Sequence, residues 1–243
     1  MKTKLTAKIL SVLIALGIFF LATNLYAEVK IAVIDSGSTD RFCEAISFSS
    51  IPANQDPIGH GTKIARIIRD SNPEAKIYML QVCEKSKEGY KPSAQSVIKA
   101  IQWCIENDID IVNLSLVMLY NKEIEEAIKE AYHNKGIVFI AAAGNKSLLN
   151  RFAVNSNGNI CLSKNDSSLL FPASCEHVIS VGAKDSTGKT ANYSINDVDV
   201  FSDGNCGKQH GTSFACARIT AKAAKIYSLN PAISLEQLKI SLQ

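Results

Sequence analysis

An α/β fold with a mostly parallel central sheet and helices on both faces follows from three features of the sequence. Short runs rich in Val and Ile alternate with segments whose apolar residues recur at helical spacing, the β-α-β succession that builds parallel sheets. The runs are nearly continuous in apolar residues, as strands buried on both faces must be. No Pro- or Gly-rich linker interrupts them, so residues 28–243 read as one domain, of about 216 residues, long enough for a sizeable core.

Before the first run, Lys2, Lys4 and Lys8 precede an apolar stretch over 9–22, and Leu25-Tyr26-Ala27 ends on a small residue. Residues 1–27 thus have the order of an export signal, with the mature chain starting at Glu28. The apolar stretch is short for crossing a bilayer, so a cleaved signal is expected and not an anchor, and the destination is the periplasm or the exterior. Removing its three lysines takes Lys plus Arg from 26 to 23, level with 23 Asp plus Glu. The excess positive charge belongs to the signal. Neither a nucleic acid nor stable membrane association after cleavage is expected of a neutral mature chain.

Along the mature chain, strands are expected at 29–34, 76–82, 109–116, 137–142 and 178–181. Helices are expected at 62–69, 93–106 and 122–133, with Val97, Ile101 and Cys104, or Ile124, Ile128 and Ala131, on the inward stripe. The longest irregular segment, 146–171, is rich in Asn and Ser and is either functional or a flexible insertion. All seven cysteines (Cys43, Cys83, Cys104, Cys161, Cys175, Cys206 and Cys216) lie in the mature part. Export permits disulfides, and Cys161 with Cys175 is the pairing expected first. Cys216 reads as a small buried thiol. No C-x-x-C pair or His-rich set suggests zinc, and no metal or cofactor is expected.

In an open parallel sheet, ligands bind at the carboxyl ends of the strands, and the chemically capable residues fall there. Asp35 follows IAVI directly, where a carboxylate can orient a base. His60 heads HGTKIARIIRD at the start of an amphipathic helix, where Asp35 can hold one ring nitrogen. Ser213, in GTSFACARITAKAA, sits where a loop becomes a helix, so unpaired N–H groups and the positive dipole end surround its hydroxyl. A serine hydroxyl needs a base to become a useful nucleophile. His60 is the expected base; His210, in a second His-Gly-Thr three residues before Ser213, competes but has no strand-end acid to orient it. His133 and His177 read as structural. Asn145 closes IVFIAAAGN, where a side-chain amide can donate to an oxyanion.

Taken together and in this order, DSG at 35, HGT at 60, NLSL at 113, AAAGN at 141, FPAS at 171 and GTS at 211 resemble the subtilisin-like serine peptidases. The resemblance covers almost the whole mature chain. It implies a three-layer fold, a polypeptide substrate and peptide hydrolysis through an acyl-enzyme. Site roles carry over to Asp35, His60 and Ser213 as the triad, to Asn145 in the oxyanion hole, and to Ser115, Leu116, Val117, Met118, Ala142 and Gly144 in the substrate cleft.

The sequence also departs from the family. Glu28 leads straight into the first strand with no evident propeptide. Val117-Met118 stands where the family has Gly-Gly, which is expected to narrow or block the cleft. Ala217 and Ser202-Asp203-Gly204 replace the family's Pro and Ala-Pro-Gly. The competing reading is a weak or inactive module that keeps the fold and binds peptides or a partner protein.

Overall fold

The computed structural model describes residues 28–87, 89–148 and 169–243. The expected signal, Cys161 and most of the 146–171 segment lie outside the described residues. In chain order the strands are β1 (Lys30–Asp35), β2 (Glu44–Ser47), β3 (Lys76–Gln81), β4 (Cys83–Ser86), β5 (Gly89–Pro92), β6 (Ile111–Leu114), β7 (Val138–Ala142), β8 (Val178–Lys184), β9 (Val200–Asp203), β10 (Asn205–Cys206) and β11 (Gln209–His210). The helices are α1 (His60–Ser71), α2 (Ala94–Glu106), α3 (Lys122–Lys135), α4 (Thr212–Leu229) and α5 (Leu235–Leu242).

Seven strands form one sheet in the order β2-β3-β1-β6-β7-β8-β9, and every neighbouring pair is parallel. Because successive side chains in a strand point to opposite faces, β1 feeds two cores at once. Ile31 and Val33 pack with Ile64 and Ile68 of α1 and with Ala215 and Ile219 of α4. Ala32 and Ile34 pack with Val97 and Ile101 of α2 and with Ile124 and Ile128 of α3. The result is the expected three-layer α/β arrangement. Small side chains of α4, among them Ala215, Ala217, Ala221 and Ala224, are buried; they let this helix lie close against the sheet.

The strand order reverses at β1, which has β3 on one side and β6 on the other. Connections therefore leave the carboxyl ends of β1 and β6 in opposite directions and open a crevice between them. Asp35 ends β1, and Ser115 follows the end of β6.

Several details differ from the sequence expectations. The strand expected at 109–116 is confined to Ile111–Leu114, and the one expected at 178–181 continues to Lys184. The edge strands β2 and β9 carry no apolar run, since an edge strand has only part of its surface to bury. The hairpins β4–β5 and β10–β11 are too short to leave a periodic pattern. Finally, Cys43, Cys83, Cys104, Cys175, Cys206 and Cys216 are all free thiols. The disulfide framework expected from export is therefore absent among the described residues, because these side chains serve as small apolar fillers; five of the six are buried. Of the pair expected first, Cys175 is a buried free thiol and Cys161 lies outside the described residues.

Candidate active site

At the end of β1 the Asp35 side chain is 4% exposed, and both of its oxygens face Nδ1 of His60, at 2.8 and 3.0 Å. With Nδ1–H donated to the carboxylate, the other ring nitrogen keeps its lone pair. Burial lowers the His60 pKa, but the charge and hydrogen bond of Asp35, helped by Asp56, outweigh it and leave the value raised above the usual histidine range. His60 is the first residue of α1, so the helix fixes its backbone.

The start of α1 has no capping side chain of its own; its N-cap is Gly59, in the left-handed region at φ 71°. Asp56 performs the task from four residues upstream of His60. It accepts from the Thr62 N–H (2.8 Å), the Thr62 hydroxyl (2.7 Å), the Gly59 N–H (2.8 Å) and the Ser36 hydroxyl (2.7 Å). Ser36 in turn accepts from the Gly61 N–H at 3.0 Å, and its own N–H donates to Asp35 at 2.7 Å. Burial raises the Asp56 pKa, yet the hydrogen bonds prevail and hold it below the usual carboxylate value. Asp56 escaped the sequence reading, although an acid just upstream of a predicted helix is a capping signal.

Opposite this corner, Ser213 is the second residue of α4, where a backbone N–H has no intrahelical acceptor. Its hydroxyl donates to the Ser115 carbonyl at 3.1 Å, and the Ser115 hydroxyl donates back to the Ser213 carbonyl at 2.9 Å. Phe214 places its ring centroid 6.1 Å from that of His60. His60, Ser213, Asn145, Phe214 and the hairpin residues Lys208 to His210 line one cleft of about 440 Å³.

Asn145 is turned by Thr212, whose N–H (3.2 Å) and hydroxyl (3.4 Å) both donate to Oδ1. With Oδ1 so used, Nδ2 is the end of the amide left to donate. The Thr212 hydroxyl also accepts from the Gly144 N–H at 3.2 Å. Gly144 has φ +100°, and a Cβ there would meet the Leu170 side chain at 2.5 Å, so this strand end needs glycine.

The other residues expected in the substrate cleft range from partly to fully buried. Ala142 is buried at the end of β7. Met118 is 8% exposed and belongs to the core under α2 and α3, against which Leu116 also packs. Val117 packs against the small cluster of Ala143, Leu170 and Ile195. His210, the competing base, sits beside Tyr193 with ring centroids 4.7 Å apart. His133 and His177 lie together with Tyr132, whose ring stacks on His177 at 4.6 Å.

Residues 27–242 match the model of the Peptidase S8 subtilase family. The chain belongs to the subtilase family. Membership places it among the serine-type endopeptidases. Subtilisin DY of Bacillus licheniformis is 27% identical over 88% of this chain and 81% of its own length. Subtilisin E of Bacillus subtilis is 28% identical over 89% of this chain, which spans only 60% of that relative. A lanthipeptide protease of known structure superposes with a TM-score of 0.66 at 19% identity, covering 87% of this chain and 78% of its own; at that identity the likeness concerns the fold. No helix among the described residues of this subtilase is long and apolar enough to cross a membrane.

Proposed function

We propose that this subtilase is an exported serine endopeptidase with Asp35, His60 and Ser213 as its catalytic triad. His60 takes the Ser213 proton as the hydroxyl attacks the scissile carbonyl, then returns a proton to the departing amine. Asp35 holds the ring in the required tautomer and stabilises the imidazolium. The negative oxygen of the tetrahedral intermediate is met by Nδ2 of Asn145 and the N–H of Ser213. Water then hydrolyses the acyl-enzyme, and no cofactor enters the scheme. The substrate is a polypeptide laid along Ser115, Leu116 and Val117.

The observation that carries this reading is the two-oxygen grip of Asp35 on Nδ1 of His60, with the imidazole opening onto the cleft that holds Ser213 and Asn145. His210 has an aromatic neighbour in place of an acid, which argues for His60 as the base. Export rests on the order of charge and hydropathy over 1–27.

One observation favours the second reading, a binding module that does not cleave. The Ser213 hydroxyl donates to the Ser115 carbonyl, a contact that competes with donation to His60. A fluorophosphonate probe separates the two. The folded protein is expected to be labelled at Ser213, and labelling is expected to disappear in Ser213→Ala; absent labelling would sink the triad.

A further inference from the structure

The cleft carries a hairpin that the proposed chemistry leaves unused. β10 and β11 turn through Gly207 and Lys208, so that Lys208, Gln209 and His210 line the same space as His60, Ser213 and Phe214. The hairpin is tied at its base. Arg218 of α4 donates to the Asp203 carbonyl at 3.1 Å and the Asn205 carbonyl at 2.8 Å, and pairs with the Asp203 carboxylate at 3.6 Å. Tyr193 flanks the His210 ring. Lys208 at the tip is exposed and forms no ion pair with a described residue.

Among the described residues no carboxylate lines this space, and those that hold its surrounding elements are already engaged. Asp35 holds His60, Asp56 holds Thr62 and Ser36, and Asp203 is shared by Arg218 and Asn205. Lys63, one turn into α1, adds a positive charge that acts on His60. The rim therefore presents unpaired cationic and donor groups to whatever occupies the cleft, with no free carboxylate among its described lining residues.

We propose that this part of the cleft receives an acidic side chain of the polypeptide on the amine side of the cleaved bond, with Lys208 and His210 as the specificity-determining residues. The side follows from the serine-peptidase reading. His60 must protonate the departing amine, so the amine half of the substrate lies against His60, and the His60 cleft includes no residue of the 115–118 segment. An exposed pair of opposite charges is worth about 1.4-fold to fivefold in an equilibrium or rate ratio, and salt screens it.

A synthetic peptide library, varied to Glu, Gln or Lys at each position and sequenced after cleavage, tests the assignment. Glu is expected to exceed Gln by about 1.4-fold to fivefold in kcat/KM at one of the first two positions after the bond, with the advantage shrinking in high salt. Lys208→Glu is expected to turn the preference toward Lys, and His210→Gln to weaken it; unchanged melting temperatures establish that both variants fold. A second measurement works without cleavage: binding of rhodamine-labelled peptides, identical except for a central Glu-Glu, Gln-Gln or Lys-Lys pair, to the Ser213→Ala protein. Equal cleavage and equal binding of the three charge types at low salt overturn the proposal while fluorophosphonate labelling leaves the triad standing. If labelling fails yet the Glu-Glu peptide binds best and loses its advantage in Lys208→Glu, the acidic site holds and the peptidase reading falls.

Discussion

The tripeptide His-Gly-Thr occurs twice, at 60 and at 210, and the two copies are built alike up to a point. Each leads into a helix, α1 or α4, and in each the threonine is clasped by one side-chain oxygen. Thr62 donates both its N–H and its hydroxyl to Asp56 Oδ2; Thr212 donates the same two groups to Asn145 Oδ1. The histidines then diverge. His60 is the first helical residue and meets the carboxylate at the end of β1, whereas His210 ends a two-residue strand and meets a tyrosine ring. An identical tripeptide thus has its threonine clasped in both places, while the neighbouring strand decides whether the imidazole meets a carboxylate.

Removing each imidazole in turn is the strongest way to break this comparison. His60→Ala is expected to lower kcat by about 10⁶-fold, the scale found when the serine or histidine of a subtilisin triad is lost. His210→Ala is expected to cost under about tenfold, the scale of an exposed charge or hydrogen-bond contact. A reversed order in single-turnover acylation would exchange their roles.

The two clasps differ in chemistry, and Asn145→Asp probes that difference. The substitution keeps an oxygen for Thr212 but removes the amide donor. The expected result is a loss of about 10²–10³-fold in kcat with the melting temperature nearly unchanged; retained kcat would remove Asn145 from the oxyanion site.

How much of this pairing was legible in the sequence differs between its halves. The buried strands announced themselves through unbroken Val and Ile runs, and the Asp35, His60 and Ser213 motifs through their order. The Asn145 clasp did not, because Thr212 and Asn145 are separated by 67 positions; the Asp56 clasp spans only six and left a capping signal just upstream of the helix. The edge strands β2 and β9 were hidden because sheet pairing, more than their own composition, makes them strands. Nor does composition show that Met118 packs into the core beneath α2 and α3.

A pH profile sharpens the His60 half further. Its folded-state pKa is raised, and a base must be neutral to act. The acid limb of kcat/KM is therefore expected above pH 6.5, with activity falling as pH drops through the raised value. The stability that His60 gains from Asp35 has the opposite course: it is fully present below the unfolded pKa and is lost as pH rises through the folded one. An acid limb below the ordinary histidine value would contradict the Asp35 contact.

The smallest expected effect concerns the first clasp. Asp56→Ala deletes the acceptor of Thr62, Gly59 and Ser36 and is expected to cost about 1–2 kcal/mol in denaturant unfolding. Because the Asp56 pKa is depressed, its contribution is present above the ordinary carboxylate pKa and is lost as pH falls through the folded value. A variant as stable as the parent at neutral pH would show that Gly59 alone suffices to start α1.

The free thiols have a consequence for where the protein can work. Only a thiolate attacks a disulfide or reacts readily with an oxidant. Burial pushes the thiols of Cys83, Cys175 and Cys216 up to about 12. At neutral pH such a group is ionised in roughly one molecule in 10⁵. Seclusion from solvent thus disfavours the reactive thiolate at these three positions; if residues 1–27 act as an export signal, as proposed, the thiols would resist cross-linking in oxidising surroundings.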